Sequence, residues 1–278
     1  MALGSLKGRL SAECTNSAGV PVTTGDDASQ RSVLLGGYAA KQCPRRIHND
    51  WDSTIAKVEW EPAAELQARF DAGIAFEAHV FAALRSTLGK RCVDLSHVER
   101  KQERMVATVT AMDACVEVIL GGQLPDDPSG GRTGKPDLLL CVSGDSGRPA
   151  YIPGDVKAHR TVKVVSTKTL RYSRPAVPTQ ARTAGGYAEM VGDRFDDFIQ
   201  LAHYARMLEA CGYAPSSGSR WGVIIGNDDI ADLDPSGTVL VWHDLTEPVF
   251  QTFARSSGKM KRSALDRSYV GSEPGFPC

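Results

Sequence analysis

Asp155 and Lys157 stand one residue apart at the end of the short apolar run in YIPGDVKAHR, residues 151–160. Strand alternation puts both on one face and Val156 on the other. A carboxylate and an ammonium so placed make either an ordinary ion pair, worth little at a surface, or a catalytic pair. Two more carboxylates sit in apolar settings: Asp137 follows Pro136 at the start of KPDLLLCV (135–142), and Glu77 lies on or beside the apolar stripe of a helical pattern. If the two strands pair as a hairpin, Asp137 and Asp155 meet at one sheet edge, where the preceding helix can bring Glu77. Three converging carboxylates repel, and a hard divalent ion that favours oxygen ligands relieves them. Lys157 beside such an ion would orient a water and favour its deprotonated form, giving a site for attack on a phosphodiester.

The elements that must position these groups are legible as follows. Phe70, Ile74, Glu77, Phe81, Leu84 and Leu88 recur at helical spacing, so a helix is expected over 62–88, with Pro62 in its first turn and Gly89 as its stop. Gly73, one turn before Glu77, leaves room for something bulky to approach the carboxylate. A second helix is expected over 194–211, with Asp193 as N-cap, Gly212 just past its end, and Gln200, His203 and Tyr204 on one face. Strands are expected at 104–112, 114–124, 135–142, 150–159, 220–226 and 238–245, with turn-forming loops at 125–134 and 143–149. The apolar residues from 33 onward suggest a short helix interrupted by Pro44. Residues 160–188 hold six cations and no acid, Arg160, Lys163, Lys168, Arg171, Arg174 and Arg182, and are expected to form an extended loop or poorly packed insertion. The order of helices and strands indicates one α/β domain over 33–250, after a flexible arm at 1–32 and before a basic tail at 251–278.

Bulk composition narrows the class. The 278 residues are 42% hydrophobic and 23% charged, as in ordinary globular proteins. The net charge of −1 means that binding to an acidic partner must come from a local patch. No apolar run approaches the roughly 20 residues that span a bilayer, and the N-terminus lacks an apolar signal core. The seven cysteines are odd in number and form no C-x-x-C pair, which argues against a disulfide scaffold or compact zinc knuckle and for a cytoplasmic protein with reduced thiols.

Pro136-Asp137 followed by Asp155-Val156-Lys157 resembles the PD-(D/E)-x-K nuclease signature. QLAHY (200–204) resembles the Q-x-x-x-Y motif of the RecB-type exonuclease branch, CPRR (43–46) the segment upstream of its core, and GIAFE (73–77) its first motif. The branch includes CRISPR-associated exonucleases of RecB type, and the similarity spans about residues 33–227. It implies a mixed central sheet flanked by helices, a restriction-endonuclease-like core with the site at one edge. It also implies Mg²⁺ or Mn²⁺ held by Glu77, Asp137, Asp155 and the carbonyl of Val156, with Lys157 acting on the water. Gln200 and Tyr204 would contact DNA near the scissile phosphate or support Lys157. Arg45, Arg46, Arg160, Lys163, Lys168, Arg171 and Arg174 would hold the backbone of single-stranded DNA or duplex ends.

Two departures stand out. The branch often has His where this chain has Glu77; His79 would point off that helix face. Its iron–sulfur members use an upstream cysteine like Cys43 and three clustered near the C-terminus, whereas only Cys211 and Cys278 follow the core here, so no iron–sulfur cluster is expected. The alternatives are a nucleic-acid-binding protein that keeps the fold without the chemistry, and a nuclease acting on RNA.

Overall fold

The structure, a computed structural model, describes residues 33–42, 44–56, 60–142, 148–190, 195–216, 218, 220–254 and 258–268. The expected arm at 1–32, Cys43 and Asp193 lie outside these residues. Pro44 does not interrupt a helix. A 3₁₀ turn at Ala39–Lys41 is followed by α1 (Pro44–Trp51), which Pro44 begins. At that first position its missing N–H would be unpaired in any case.

Helix α2 (Ala64–Leu88) stops at Gly89, whose φ of +55° favours glycine. Its buried residues are Val80, Phe81, Leu84 and Leu88. Phe70 and Ile74 continue the stripe in sequence but are 49% and 67% exposed, contrary to expectation. The first half of the helix is thus largely exposed, and burial begins at the level of Glu77.

Strand β1 (Cys92–Asp94) follows, then α3 (Lys101–Asp113) where the sequence suggested a strand at 104–112. Burial overrules the β-branched content there. Thr108, Ala111 and Met112 are buried at helical spacing, and the Thr108 and Thr110 hydroxyls are satisfied within the helix by donating to the carbonyls of Arg104 and Val106 four residues back (2.8 and 2.9 Å). The strand expected over 114–124 shortens to β2 (Val118–Leu120).

Strands β3 (Leu138–Val142) and β4 (Ala150–Lys157) form the expected antiparallel hairpin. Residues 160–188, expected as a loop or loose insertion, are instead mostly the hairpin of β5 (Val162–Arg174) and β6 (Val177–Glu189). Its cations obscured an alternation in which Val162, Leu170 and Tyr172 face a core formed with Val239 and Val241. Helix α4 (Phe195–Ala210) follows, with Gly212 just beyond it at φ +81°. Then come β7 (Trp221–Gly226), β8 (Leu240–Asp244), the small hairpin β9 (Phe250–Ala254) and β10 (Gly258–Arg262), and the short α5 (Ala264–Arg267). Within the expected tail, Ala264 and Leu265 are buried against α4.

The fold is mixed α/β, with an eight-stranded sheet in the order β1-β2-β3-β4-β7-β8-β5-β6. Its β1–β2 and β4–β7 pairs are parallel and the others antiparallel. Alternation divides the core: Leu138, Leu140, Ile152 and Val156 pack against α2, while Leu139 and Tyr151 pack against α3 and α4. Burying each large side chain of this kind contributes roughly 1.5–3 kcal/mol. Pro153 is tolerated in β4 because pairing with β7 begins only at Gly154. Among the described residues no helix is long and apolar enough to cross a membrane.

Gly73 lies inside α2 with nothing within 4 Å of where a Cβ would stand. Gly73→Ala is expected to stabilise the protein by about 0.5–1 kcal/mol through helix propensity alone. Chemical denaturation measures this, and a loss of stability would mean that the space beside Glu77 is filled in the native fold.

Candidate active site

The β3–β4 register decides the geometry. Leu138 pairs with Gly154, so the residues one step further out, Asp137 and Asp155, oppose each other at the end of the ladder. Asp137 extends that ladder with its side chain, its Oδ2 accepting the Val156 N–H at 2.8 Å, while its carbonyl accepts the Gly121 N–H at 2.8 Å. Val156 thus lies beyond the last β3–β4 pair, with its side chain in the α2 core.

Asp155 is 1% exposed. Its Oδ2 is held by the Lys157 ammonium. Burial, then the charge and hydrogen bond of Asp155, then the charge of Glu77 push Asp137 well above the ordinary carboxylate range. Burial likewise raises Glu77, with Asp155 adding to the effect and Lys135 and Lys157 opposing it. Burial pulls the Lys157 ammonium down, but Asp155, Asp197 and Asp137 outweigh it and the net shift is upward. Lys157 is therefore a firmly held cation.

Helix α4 closes the site from the other side. Lys157 Nζ donates to Gln200 Oε1 at 3.3 Å, and Gln200 Nε2 donates to the Tyr204 hydroxyl at 3.3 Å. Tyr204 is gripped by two glycines: a Cβ at Gly134 would come within 2.6 Å of its ring, and one at Gly37 within 2.9 Å. Behind it, His203 is fully buried and its Nε2 donates to the Thr133 carbonyl at 3.0 Å, so it is a packed neighbour. That carbonyl belongs to the 125–134 loop, held by the buried Asp127–Arg132 pair at 2.8 Å.

The structure thus brings Asp137, Asp155, Lys157, Gln200 and Tyr204 together, with Glu77 in the same electrostatic cluster. His79 is exposed. Among the described residues no three His, Cys, Asp or Glu side chains form a group that could hold a metal ion. Glu77 therefore does not join the two aspartates in a ready three-acid cage. The donor set is nevertheless one that a hard divalent ion suits: oxygen atoms only, from two opposed carboxylates, with Asp155 fully buried.

The expected phosphate-binding cations differ in their surroundings. Arg171 lies over the Trp221 ring at 4.4 Å, Arg174 donates to the Leu233 carbonyl at 2.8 Å, and Arg160 Nε is 4.0 Å from buried Asp228. Lys163 and Lys168 are exposed on β5. Arg45 and Arg46 are exposed on α1, with Arg46 3.9 Å from Asp50.

Sequence reasoning missed Lys41, Asp197 and His159. Lys41 Nζ reaches Asp197 Oδ1 at 3.1 Å and Gln200 Oε1 at 2.9 Å, and His159 Nε2 is 3.2 Å from Asp197 Oδ2. Asp197 stands three residues before Gln200, so the helix-face argument that found Gln200 and Tyr204 also reaches it. His159 extends the alternation of Asp155 and Lys157. Nothing local in the sequence points to Lys41. No family model, curated protein or solved structure matches the chain.

A carboxyl whose pKa is raised on folding binds its proton more tightly in the folded state. Its stabilising effect is complete below the ordinary carboxylate range and is lost as the pH rises through the raised value. In chelator, the fold is thus expected to lose stability from mildly acid to neutral pH through Asp137 and Glu77, and Asp137→Asn to flatten that loss. Denaturation midpoints between pH 4 and 8 measure it; an unchanged slope in the mutant would place the strain elsewhere.

Proposed function

We propose that the chain is a nuclease that hydrolyses phosphodiester bonds in DNA with Mg²⁺ or Mn²⁺, of RecB type within the PD-(D/E)-x-K superfamily. The observation that carries this reading is the register that opposes Asp137 and Asp155, with Lys157 two residues on and donating to Gln200, which in turn donates to Tyr204. The sheet with helices on both faces and the site at the end of a central hairpin agree with a restriction-endonuclease-like core.

Asp137 and Asp155 would hold the divalent ion, with the Val156 carbonyl and Glu77 beside them. When bound, such an ion supplies Lewis acidity and lowers the pKa of a water. Lys157, held cationic by its acid neighbours, cannot take a proton near neutral pH. It can orient a nucleophile and stabilise the negative charge that develops on the phosphoryl group. Gln200, accepting from Lys157 and donating to Tyr204, limits where the ammonium can point.

Asp155→Asn keeps the shape of the buried side chain and removes its charge. It is expected to lower cleavage of labelled oligonucleotides in Mg²⁺ or Mn²⁺ by about 100-fold or more, the scale of losing a principal electrostatic group, while remaining folded. Unchanged turnover would overturn the proposal. Single-stranded, duplex and RNA substrates, each also in chelator, separate it from its rivals: cleavage confined to RNA reassigns the substrate, and tight binding in chelator without cleavage in metal gives a binder.

On this reading Lys163 and Lys168, exposed on β5, are the cations to test against DNA. Neutralising both is expected to reduce the log–log salt slope of DNA binding by about 0.7 per lost contact on single strands, or about 0.9 on duplex. Arg171→Gln is instead expected to cost stability, by removing the guanidinium from Trp221. Equal salt slopes for wild type and the double lysine variant would exclude β5 from the DNA path.

A further inference from the structure

We infer that Lys41 is a positioning residue for Lys157: it satisfies Asp197 and shares Gln200, and so keeps the Lys157 ammonium at Asp155. The inference rests on the proposed role of Lys157 in cleavage.

Asp197 is a buried carboxylate surrounded by basic groups. Lys41 Nζ stands 3.1 Å and Lys157 Nζ 3.9 Å from its Oδ1, while His159 Nε2 stands 3.2 Å from Oδ2. Gln200 Oε1 accepts from the same two lysines, from Lys41 at 2.9 Å and from Lys157 at 3.3 Å. Two ammonium groups therefore compete for one pair of acceptors, and Lys41 holds the shorter contact to each. The Lys41 side chain is itself mostly buried, 14% exposed, and its 3₁₀ turn packs on α4.

A buried carboxylate deprived of its counter-charge is costly, so Asp197 recruits whatever cation is in reach. Without Lys41 the nearest ammonium is that of Lys157, on a flexible four-carbon stem. Movement toward Asp197 draws it away from Asp155 and from any phosphate held there. Lys41 prevents this without touching the reacting atoms.

The test compares wild type with Lys41→Met, Lys41→Arg, Asp197→Asn and the double variant Lys41→Met/Asp197→Asn, each checked for folding by circular dichroism. On a labelled oligonucleotide with Mn²⁺, Lys41→Met is expected to lower kcat about 10- to 100-fold, the scale of a misplaced catalytic group, with KM little changed. Lys41→Arg should retain most of the rate. The double variant should recover much of the loss, because the acid that captures Lys157 is gone. A rise in KM without recovery in the double variant would make Lys41 a substrate contact and overturn the inference. Should Lys41→Met fail to fold, Asp197→Asn decides: it should lose less rate than Lys157→Ala, and an equal loss overturns the inference.

If wild type cleaves nothing, the proposed function fails, and the placement of Lys157 by Lys41 is judged from melting temperatures. A double-mutant cycle of Lys41→Met and Lys157→Ala should then show non-additive shifts. Additive shifts would mean that the two lysines are independent.

Discussion

The opposition of Asp137 and Asp155 across the end of the β3–β4 ladder is the constraint to which the rest of the site answers. Two carboxylates in that position cannot both be charged cheaply, which is why burial and Asp155 together drive Asp137 toward its protonated form. Lys157 offsets part of the charge, and its own proton is held the more tightly for it. Asp197 repeats the problem one layer away, and Lys41 and His159 answer it there. The polar groups between β4 and α4 therefore form one coupled set, in which altering any charge reassigns partners among the others.

The apolar frame explains how such a set tolerates burial. Tyr204 packs close against Gly37 and Gly134, and His203 fastens α4 to the 125–134 loop through Thr133. The loop is in turn tied to the segment carrying Lys41, since the Leu35 N–H donates to the Gly131 carbonyl at 2.9 Å. Lys41 and Gln200 thus ride on elements whose separation is fixed by packing. The β5–β6 hairpin engages two of its cations within the fold, Arg171 at Trp221 and Arg174 at Leu233, so a cation count overstates what it offers a polyanion.

The parts of the site readable in sequence are those whose geometry is local. Strand alternation gives the shared face of Asp155 and Lys157, and helix periodicity gives Gln200 with Tyr204. The hairpin that joins Asp137 to Asp155 follows from two apolar runs around a turn-forming loop. Misreadings arose where one signal outweighed another. In α3 the valines and threonines suggest a strand, but the burial of Thr108, Ala111 and Met112 follows a helix. In β5 a dense run of cations suggests a loop, while the few apolar residues that matter, Val162, Leu170 and Tyr172, are spread thinly along it. The apolar stripe of α2 runs on in sequence, yet burial stops short of Ile74 and Phe70, because exposure depends on what lies beneath a helix as well as on its period. Lys41 was invisible because its partners lie 156 and 159 residues away.

That separation has a consequence for how the protein is assembled. The Asp137–Val156 contact closes a span of 19 residues and can form with the hairpin itself. The Lys157–Gln200 contact closes 43 residues, and the Lys41 contacts close the whole core. Loop-closure entropy costs the longer closures more, and so favours the acids meeting before the lysines are sorted. During synthesis the segment with Lys41 emerges first and must wait for α4. Until then the half-built site carries opposed carboxylates without their full complement of cations, and the arrival of α4 joins the two ends of the chain's history at the place where its charges are settled.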